Sequence, residues 1–355
     1  MTQALPVPAV YEPYHEIVER PHIVVDGKNQ DATVLTLSHW PWNNTPAPLR
    51  RDTSTHIAFA YLAREQFHVD AGLVSNSHYD EDGLLSMFAI TDPEIAWRHR
   101  DWLIKTSYAS DFWRCTDPDA AKLSFVLAAW TDRETSPLPD EIYELPLRQL
   151  IIEQYRLMLA ALSGILKDPY KDEHLWKTEF DFWQRSVQQV ADGEVELEEL
   201  PEQDLLIVRV PESYKRETIR RYLTRWDLPV HPFAVYARSN CSRVLWVQGR
   251  SYEMHYRYES WVRNESFRPQ PRVDMQPFAD ELNACDNTTD TWVFDGVHEV
   301  AAMLHLEEKG ESGLRAQDFI SRLTGFLDSA PSAWDPRGEP PATGSDKPSG
   351  DPEND

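Results

Sequence analysis

A short segment with alternating histidine and carboxylate side chains is the part of this sequence best suited to chemistry. His78, Asp80 and Asp82 occupy every second position, and Gly83 closes the segment. The segment lies between a strand-like apolar run and a helix-like one. An imidazole and two carboxylates at a strand end are suitable ligands for a divalent cation. We therefore predict a metal site in which these three side chains act as ligands and as catalytic residues.

Two structural interpretations compete with a metal site in this segment. An EF-hand calcium loop needs an oxygen ligand at its first position and glutamate at its twelfth, where this sequence has His78 and Ala89. Helix capping needs only one carboxylate, which either Asp80 or Asp82 could supply. Two carboxylates this close repel each other unless a proton or a cation lies between them. The sequence therefore excludes the calcium loop and leaves capping open.

The first part of the chain alternates between strand and helix patterns. Strands are predicted at residues 22–27, 33–37 and 71–76, and Asp52 is predicted to cap an intervening helix. This alternation is typical of an α/β fold with a largely parallel sheet and helices on both faces. Ligands bind beyond the carboxyl ends of parallel strands. Two polar residues at these ends join the site as supporting or substrate-contacting candidates: Asp26 and His39.

The pattern changes in the second half of the chain. Long helices are predicted up to residue 192, so residues 1–192 form a predicted α/β metal-site domain. Residues 193–330 are predicted to form a smaller α+β domain, and residues 331–355 a disordered acidic tail rich in proline, glycine and serine. The elements predicted in the second domain are a buried strand at 205–210, a helix near 214–226, strands at 232–237, 243–248, 252–262 and 291–294, and a helix near 314–328.

The predicted strand at residues 252–262 alternates between apolar and charged side chains. Its charged face carries Arg257 and Trp261. One interpretation is a solvated face opposite an apolar core face. The other is that Arg257 and Trp261 reach a bound phosphate or ring, since the planar arginine fork binds phosphate through two hydrogen bonds.

The charge balance limits the partners of the protein. The chain has 59 acidic residues against 35 lysines and arginines, and its formal net charge is −24. Neutralising the phosphates of long nucleic acids requires a basic face, so we expect no such partner. An anionic membrane surface is disfavoured for the same reason. A small phosphorylated substrate remains compatible, because a bound divalent cation would invert the local potential.

Cysteine usage and hydropathy indicate a protein of the cytoplasm. Cys115, Cys241 and Cys285 are widely separated and fit neither a zinc spacing nor a disulfide framework. The first residues lack a basic segment followed by an apolar run, so no signal peptide is expected. No stretch approaches the roughly 18 uninterrupted apolar residues of a membrane span.

The segment from His78 to Gly83 resembles the first motif of the DHH-type phosphoesterases, in which Asp or His alternates with two aspartates before a glycine. The resemblance implies a dinuclear site of the manganese type that activates water to attack a phosphodiester or phosphoanhydride. Asp80 and Asp82 would be ligands, His78 a ligand or a proton acceptor, and Asp111 a further ligand matched by its loop context. The Asp-His-His signature of that family is absent, since no two histidines are adjacent.

Most of the chain also resembles a bacterial domain family of unknown function. The segments that carry this second resemblance are Leu37-Ser38-His39-Trp40-Pro41, His78 to Gly83, Ser110-Asp111-Phe112 and Arg257-Tyr258-Glu259-Ser260-Trp261-Val262. This resemblance covers more of the sequence than the phosphoesterase motif does, but it implies no activity.

Two functions follow from these observations as hypotheses. The first is a metal-dependent phosphoesterase-like hydrolase that uses Mn²⁺ or Mg²⁺ and acts on a small phosphorylated substrate or a short oligonucleotide. The second is a non-catalytic binding or scaffold protein that keeps the fold without a complete metal site. The absent second histidine motif and the many tryptophans and tyrosines favour the second.

Overall fold

The computed structural model describes residues 5–221 and 224–338. It confirms an α/β protein with a parallel N-terminal sheet, helices and a sheet-containing C-terminal part. Within the described residues, no helix is long and apolar enough to cross a membrane. The division at residue 192 stays a prediction. One cluster of buried apolar side chains includes residues from both sides of it, such as Phe125 and Trp246.

The strands and helices have the following bounds. The N-terminal strands are β1 (Val10–Tyr11), β2 (His22–Val25), β3 (Thr33–Leu37) and β4 (Leu73–Ser75). The N-terminal helices are α1 (Ser54–Leu62), α2 (Glu81–Thr91), α3 (Pro93–Arg98), α4 (Arg100–Phe112), α5 (Pro118–Thr131), α6 (Leu147–Ile165) and α7 (Lys177–Ala191). The C-terminal elements are β5 (Glu196–Leu200), β6 (Leu205–Val210), β7 (Glu217–Arg221), β8 (Thr224–Leu228), α8 (Pro232–Tyr236), β9 (Arg243–Gln248), β10 (Ser251–Tyr256), β11 (Arg272–Val273), α9 (Gln276–Cys285), β12 (Trp292–Phe294), β13 (Met303–Leu306), α10 (Ala316–Ser329) and β14 (Ser332–Trp334).

The N-terminal sheet has four strands in the order β1-β4-β2-β3, and all its neighbouring strands are parallel. Val25 at the end of β2 pairs with Leu37 at the end of β3, and Val24 pairs with Ser75 of β4. The register therefore aligns the carboxyl ends of the three strands. The polar residues that follow each of them meet at this one edge of the sheet.

Helices α1 and α2 pack beside this edge, and both are almost entirely buried. Thr53 is the N-cap of α1, and its hydroxyl accepts a hydrogen bond from the His56 amide. Asp80 is the N-cap of α2, and its carboxylate accepts a hydrogen bond from the Gly83 amide. The prediction that Asp52 caps α1 is therefore wrong. Its carboxylate instead accepts hydrogen bonds from the amides of a distant loop at residues 265–266.

The C-terminal sheet has six strands in the order β12-β13-β10-β9-β6-β5. Only the β6–β9 pair is parallel, and the other four pairs are antiparallel. The predicted strands at 243–248 and 291–294 and the helix near 314–328 correspond to β9, β12 and α10. The short strand β14 lies within the predicted disordered tail, so that prediction is wrong for residues 332–334. Residues 339–355 lie outside the described residues.

Two other C-terminal predictions are wrong for identifiable reasons. The helix predicted near 214–226 is an antiparallel hairpin of β7 and β8, with residues 222–223 outside the described chain. Burial of Ile219 and Arg221, two residues apart, requires the strand period, which overrides a helix-like charge pattern. The strand predicted at 232–237 is helix α8, which Pro232 begins at its first position and the His231 imidazole caps.

The predicted strand at 252–262 is shorter than expected. Strand β10 ends at Tyr256, and a 3₁₀ turn spans Tyr258–Ser260. Tyr252 and Met254 are buried in the apolar core, as their shared strand face predicts. Arg257 and Trp261 lie beyond the strand and are also buried, so they do not belong to a solvated face.

Gly83 is required by close packing at the start of α2. A Cβ atom at this position would lie 2.6 Å from the Tyr155 hydroxyl and 2.6 Å from Asn76 Nδ2. That hydroxyl accepts a hydrogen bond from Asn76 and donates one to the His78 carbonyl. The glycine thus lets Tyr155 support the loop that carries the site.

We expect Gly83→Ala to lower the free energy of unfolding by about 1–3 kcal/mol, because the methyl group would displace this hydrogen-bonded pair. Gly325→Ala is the matched control. Gly325 lies in α10 with no atom within 4 Å of an added Cβ, so alanine there should stabilise by about 0.5–1 kcal/mol. Urea denaturation measures both changes. A stabilising Gly83→Ala would contradict the packing argument.

A buried ion pair fixes the β7–β8 hairpin to α7. Arg221 donates hydrogen bonds to Glu179, and His231 Nε2 lies 3.2 Å from the same carboxylate. Burial would raise the pKa of Glu179, but Arg221 and His231 outweigh it and hold this pKa below its usual value. A carboxylate with a lowered pKa stabilises the fold at pH values above its unfolded pKa, and this stabilisation is lost as the pH falls.

We expect Glu179→Gln to cost about 3–5 kcal/mol at pH 7, since it removes a charged acceptor from a buried guanidinium. The difference from wild type should shrink as the pH falls below about 4.5, where the unfolded carboxyl is protonated. Glu217→Gln is the control. It removes the exposed Glu217–Arg185 pair of the same hairpin and should cost at most about 1 kcal/mol. Equal losses for the two variants at pH 7 would contradict the assignment.

Candidate metal centre

Four carboxyl groups and two imidazoles meet at the carboxyl edge of the N-terminal sheet. They come from five places in the chain: the ends of β2 and β3, the loop after β4, the first turn of α2 and the last turn of α4. The residues are Asp26, His39, His78, Asp80, Asp82 and Asp111. All the predicted ligands are therefore close together, along with Asp26 and His39, two of the four residues predicted as supporting or substrate-contacting candidates.

Asp26 is common to two groups of candidate ligand atoms. Asp26, His39 and Asp82 offer ligand atoms within 4.8 Å of one another, and so do Asp26, His78 and Asp80. His78 Nε2 lies 3.0 Å from Asp80 Oδ2 and 3.3 Å from Asp26 Oδ2. This arrangement could hold two cations with the Asp26 carboxylate between them.

Asp26 has a constrained backbone and an incompletely satisfied carboxylate. Its φ of 45° is in the left-handed region, which aspartate tolerates better than most side chains. The Ser54 hydroxyl donates to its Oδ1, whereas its buried Oδ2 accepts no hydrogen bond among the described residues. Burial would raise the pKa of Asp26, but the His39 and His78 imidazoles outweigh it and lower this pKa.

His39 directs one ring nitrogen at the cluster. Its Nδ1 donates to the Asp52 carbonyl, so Nε2 faces the carboxylates. Nε2 lies 3.4 Å from Asp26, 3.6 Å from Asp111 and 4.0 Å from Asp82. Burial would lower the pKa of His39, but the surrounding carboxylates raise it.

Asp82 connects α2 to the start of α1. Its two oxygens accept hydrogen bonds from the Ser54 and Thr55 amides, at 2.7 and 2.8 Å. A helix N-terminus stabilises an anion because its first amides are unpaired and its dipole is positive there. Burial and the neighbouring Asp26 nevertheless raise the pKa of Asp82 to about 7.

Asp80 both caps α2 and faces the cluster. Its Oδ1 accepts from the Gly83 amide, and its Oδ2 points to His78. Helix capping and ligand geometry are therefore compatible in one side chain. Burial would lower the pKa of His78, but Asp80 and Asp26 raise it to about 10. The Trp40 ring stacks on the His78 imidazole, with 4.9 Å between the centroids.

Asp111 is the least satisfied member of the cluster. Both of its carboxylate oxygens are buried, and neither accepts a hydrogen bond among the described residues. Burial, followed by the charges of Asp82 and Asp80, raises the pKa of Asp111 well above its usual value. A buried carboxyl group without partners is costly unless a cation or a proton neutralises it.

The donor set fits a hard or borderline divalent cation. Carboxylate oxygens and imidazole nitrogens are ligands of Mg²⁺, Mn²⁺ and similar ions. A cation would bind the oxygens of Asp26 and Asp111 that accept no hydrogen bond among the described residues, and it would compete with protons for these carboxylates. The structure thus contains a candidate metal-binding group of buried aspartates and histidines.

The C-terminal part closes one side of the centre. The Tyr258 hydroxyl lies 3.3 Å from His39 Nε2. Arg257 is not directed at the cluster: its guanidinium binds Glu259 and the carbonyls of Ser239 and Cys241. Trp261 is fully buried, and its indole donates to the His298 carbonyl.

A cavity of about 640 Å³ adjoins the metal centre. His78, Asp80 and Asp111 lie on its wall, as do Tyr258 and Arg257. Sequence reasoning identified these ligands and Arg257 but missed Tyr258 and most of the aromatic lining. The loop of Trp40 and Trp42 next to His39, and Trp113 next to Asp111, were the available signals.

We expect Asp111→Asn to weaken metal binding and to leave the stability of the metal-free protein nearly unchanged. The amide has the shape and charge of the protonated carboxyl, so the metal-free protein should unfold at nearly the wild-type temperature. Mn²⁺ at 100 times its dissociation constant should stabilise wild type by about 2.7 kcal/mol, and it should stabilise the variant far less. Thermal unfolding after chelation and during Mn²⁺ titration measures both quantities.

Asp101→Asn is the matched control for this experiment. Asp101 lies on the same helix α4, but its side chain is 79% exposed. This variant should keep the full stabilisation by Mn²⁺. Equal stabilisation of Asp111→Asn and wild type would remove Asp111 from the ligand set.

Comparison with known proteins identifies a family. No curated protein and no solved structure matches this chain. The model of a family of unknown function, DUF6687, matches residues 8–338, which is nearly the whole sequence. This span includes all six residues of the metal centre and the cavity next to it. The chain therefore belongs to the family of unknown function DUF6687.

Proposed function

We propose that the protein is a metal-dependent phosphoesterase-like hydrolase that acts on a small phosphorylated substrate. The observation that carries this proposal is a cluster of six possible ligand side chains, four of them buried, three of which lie on the wall of a substrate-sized cavity. Several of its carboxylate oxygens accept no hydrogen bond among the described residues. Mn²⁺ or Mg²⁺ is the proposed cofactor because the ligands are mainly carboxylates. Substrate-sized cavities have volumes of roughly 300–1,000 Å³.

The DHH-type motif supports this proposal, although the Asp-His-His signature and the glycine-rich C-terminal motif of that family are absent. His78, Asp80 and Asp82 supply the first motif, and Asp111 from α4 lies beside them. His39, from the end of β3, provides an imidazole in a chain that lacks the adjacent histidines of that family. Asp26, common to the two groups of ligand atoms, would be a ligand in either group.

A bound divalent cation would lower the pKa of a coordinated water and neutralise the attacked phosphoryl group. Hydrolysis consumes one water molecule: its oxygen forms the new bond to phosphorus, and the ester oxygen departs with a proton. The carboxylates of Asp26, Asp80, Asp82 and Asp111 would hold the cations. The Tyr258 hydroxyl, directed at this centre, would donate a hydrogen bond to the phosphoryl group.

The test is hydrolysis of bis(p-nitrophenyl) phosphate and p-nitrophenyl phosphate by the full chain loaded with Mn²⁺ or Mg²⁺. We expect turnover of these substrates, and we expect chelation of the metal to abolish it. Asp111→Asn should reduce turnover by about 100-fold or more, because loss of a metal ligand should cost at least as much activity as loss of a residue that hydrogen-bonds to a ligand. Asp101→Asn should keep wild-type activity. Unchanged turnover in Asp111→Asn would place the activity elsewhere.

A non-catalytic binding protein is the second candidate function. The observation in its favour is Arg257, whose guanidinium is occupied by Glu259 and two carbonyls and therefore does not clamp a phosphate. Metal binding by wild type without turnover of either substrate, with Mn²⁺ or with Mg²⁺, would favour this second function.

A further inference from the structure

Aromatic rings line much of the cavity beside the metal centre, and they come from both halves of the chain. Six of these rings are those of Trp42, Phe112, Trp113, Trp226, Tyr236 and Tyr258. Tyr258 also contacts His39 of the metal centre, whereas Trp226 and Tyr236 come from the C-terminal part. Aromatic walls favour flat ligands, because rings gain from stacked and edge-to-face contacts beyond simple apolar burial.

The rings at the far end of the cavity are arranged around Trp113. The Trp113 and Tyr236 planes are inclined by only 18°, with 6.3 Å between their centroids. Trp226 of β8 meets Trp113 edge-on, at a centroid distance of 5.3 Å. A flat group entering the cavity therefore meets both ring faces and ring edges.

Two of these tryptophans have backbones that favour glycine. Trp42 has a φ of 55° and Trp113 a φ of 49°, both in the left-handed region. Bulky side chains rarely adopt this conformation, and such strain persists where the surrounding structure requires the side chain. Both lie on the wall of the same cavity, and Asp26 of the metal centre shares this conformation. Trp113 also ends α4, where a left-handed residue is common, but glycine is the usual residue there and a large indole occupies the position instead.

The charges of the cavity outside the metal ligands are largely neutralised. Arg257 and Glu259 form a buried ion pair, and the Arg257 guanidinium also lies 4.5 Å from the centre of the Tyr236 ring. Among the other described residues of the wall, Lys28 contributes a cation, and it is exposed. The cavity therefore offers no buried cationic cluster for a polyphosphate chain.

We propose that this cavity binds a flat, uncharged aromatic ring system attached to the phosphoryl group that the metal centre takes. The inference rests on the proposed function and narrows its substrate class to aryl-bearing phosphoesters, as opposed to sugar phosphates and polyphosphates. The ring would lie against Trp113 and Trp226, and Trp42 would close the side formed by the N-terminal part.

The test compares three ligands of the Mn²⁺-loaded full chain by calorimetry and by quenching of tryptophan fluorescence. They are 1-naphthylphosphonate, methylphosphonate and 2-naphthol. We expect 1-naphthylphosphonate to bind at least about tenfold more tightly than methylphosphonate, because only the former fills the aromatic cavity. Equal affinities for the two phosphonates would overturn the inference.

Trp113→Gly and Trp42→Gly test the aromatic wall directly, because glycine adopts the left-handed conformation without strain. Each variant should weaken 1-naphthylphosphonate binding by about tenfold and leave methylphosphonate binding unchanged. Trp97→Ala is the control, since Trp97 contacts Phe59 outside this cavity, and it should change neither affinity. Wild-type affinity for the naphthyl ligand in both glycine variants, each shown to be folded by circular dichroism, would overturn the inference.

Failure of the metal-centre proposal is distinguishable from failure of this inference. 2-Naphthol has no phosphonate, so it should bind with and without Mn²⁺ and should lose affinity in Trp113→Gly. If the protein binds no Mn²⁺ but still binds 2-naphthol in this way, the aromatic site stands and the hydrolase proposal fails. If it binds Mn²⁺ and both phosphonates equally, the centre stands and the aromatic site fails.

Discussion

The burial of four carboxyl groups around two imidazoles is the constraint on which this structure depends. Removing so much negative charge from water is unfavourable unless amides, imidazoles, protons or cations compensate it. Asp82 receives two amides from the start of α1, and Asp80 receives one from α2. Asp111 receives none among the described residues. The cluster is therefore only partly compensated by the protein itself, as expected of a site built to hold a cation.

The surrounding fold is organised to hold these groups in place. Parallel pairing aligns the ends of β2, β3 and β4, and the Asp82 carboxylate joins α2 to α1. Because Gly83 has no Cβ atom, the Tyr155 hydroxyl can approach the same loop and donate a hydrogen bond to the His78 carbonyl. From the other side, the C-terminal part contributes Tyr258 and the aromatic wall. The residues of the metal centre thus also hold neighbouring elements of the fold together. Substitutions at the centre therefore need matched controls for folding.

Local backbone strain also concentrates at this site. Of the five described non-glycine residues with positive φ, Asp26, Trp42 and Trp113 lie at the centre or on its cavity. A protein tolerates such a backbone conformation where the surrounding structure requires that side chain at that position. The positive φ angles, the carboxylate oxygens that accept no hydrogen bond and the cavity are separate observations. All three occur at the metal centre or next to it.

The sequence by itself determined the α/β class, the three N-terminal strands and the segment of His78, Asp80 and Asp82, because strand periodicity and ligand spacing are local properties. It also indicated Asp26 and His39, since parallel strands end at one edge. Only the tertiary structure decided that His39 faces the carboxylates and that Asp82 pairs with α1. The segment near 214–226 was predicted as a helix, but it forms the β7–β8 hairpin, in which Ile219 and Arg221 are buried together. These outcomes depend on contacts between residues far apart in the chain, which no local pattern encodes.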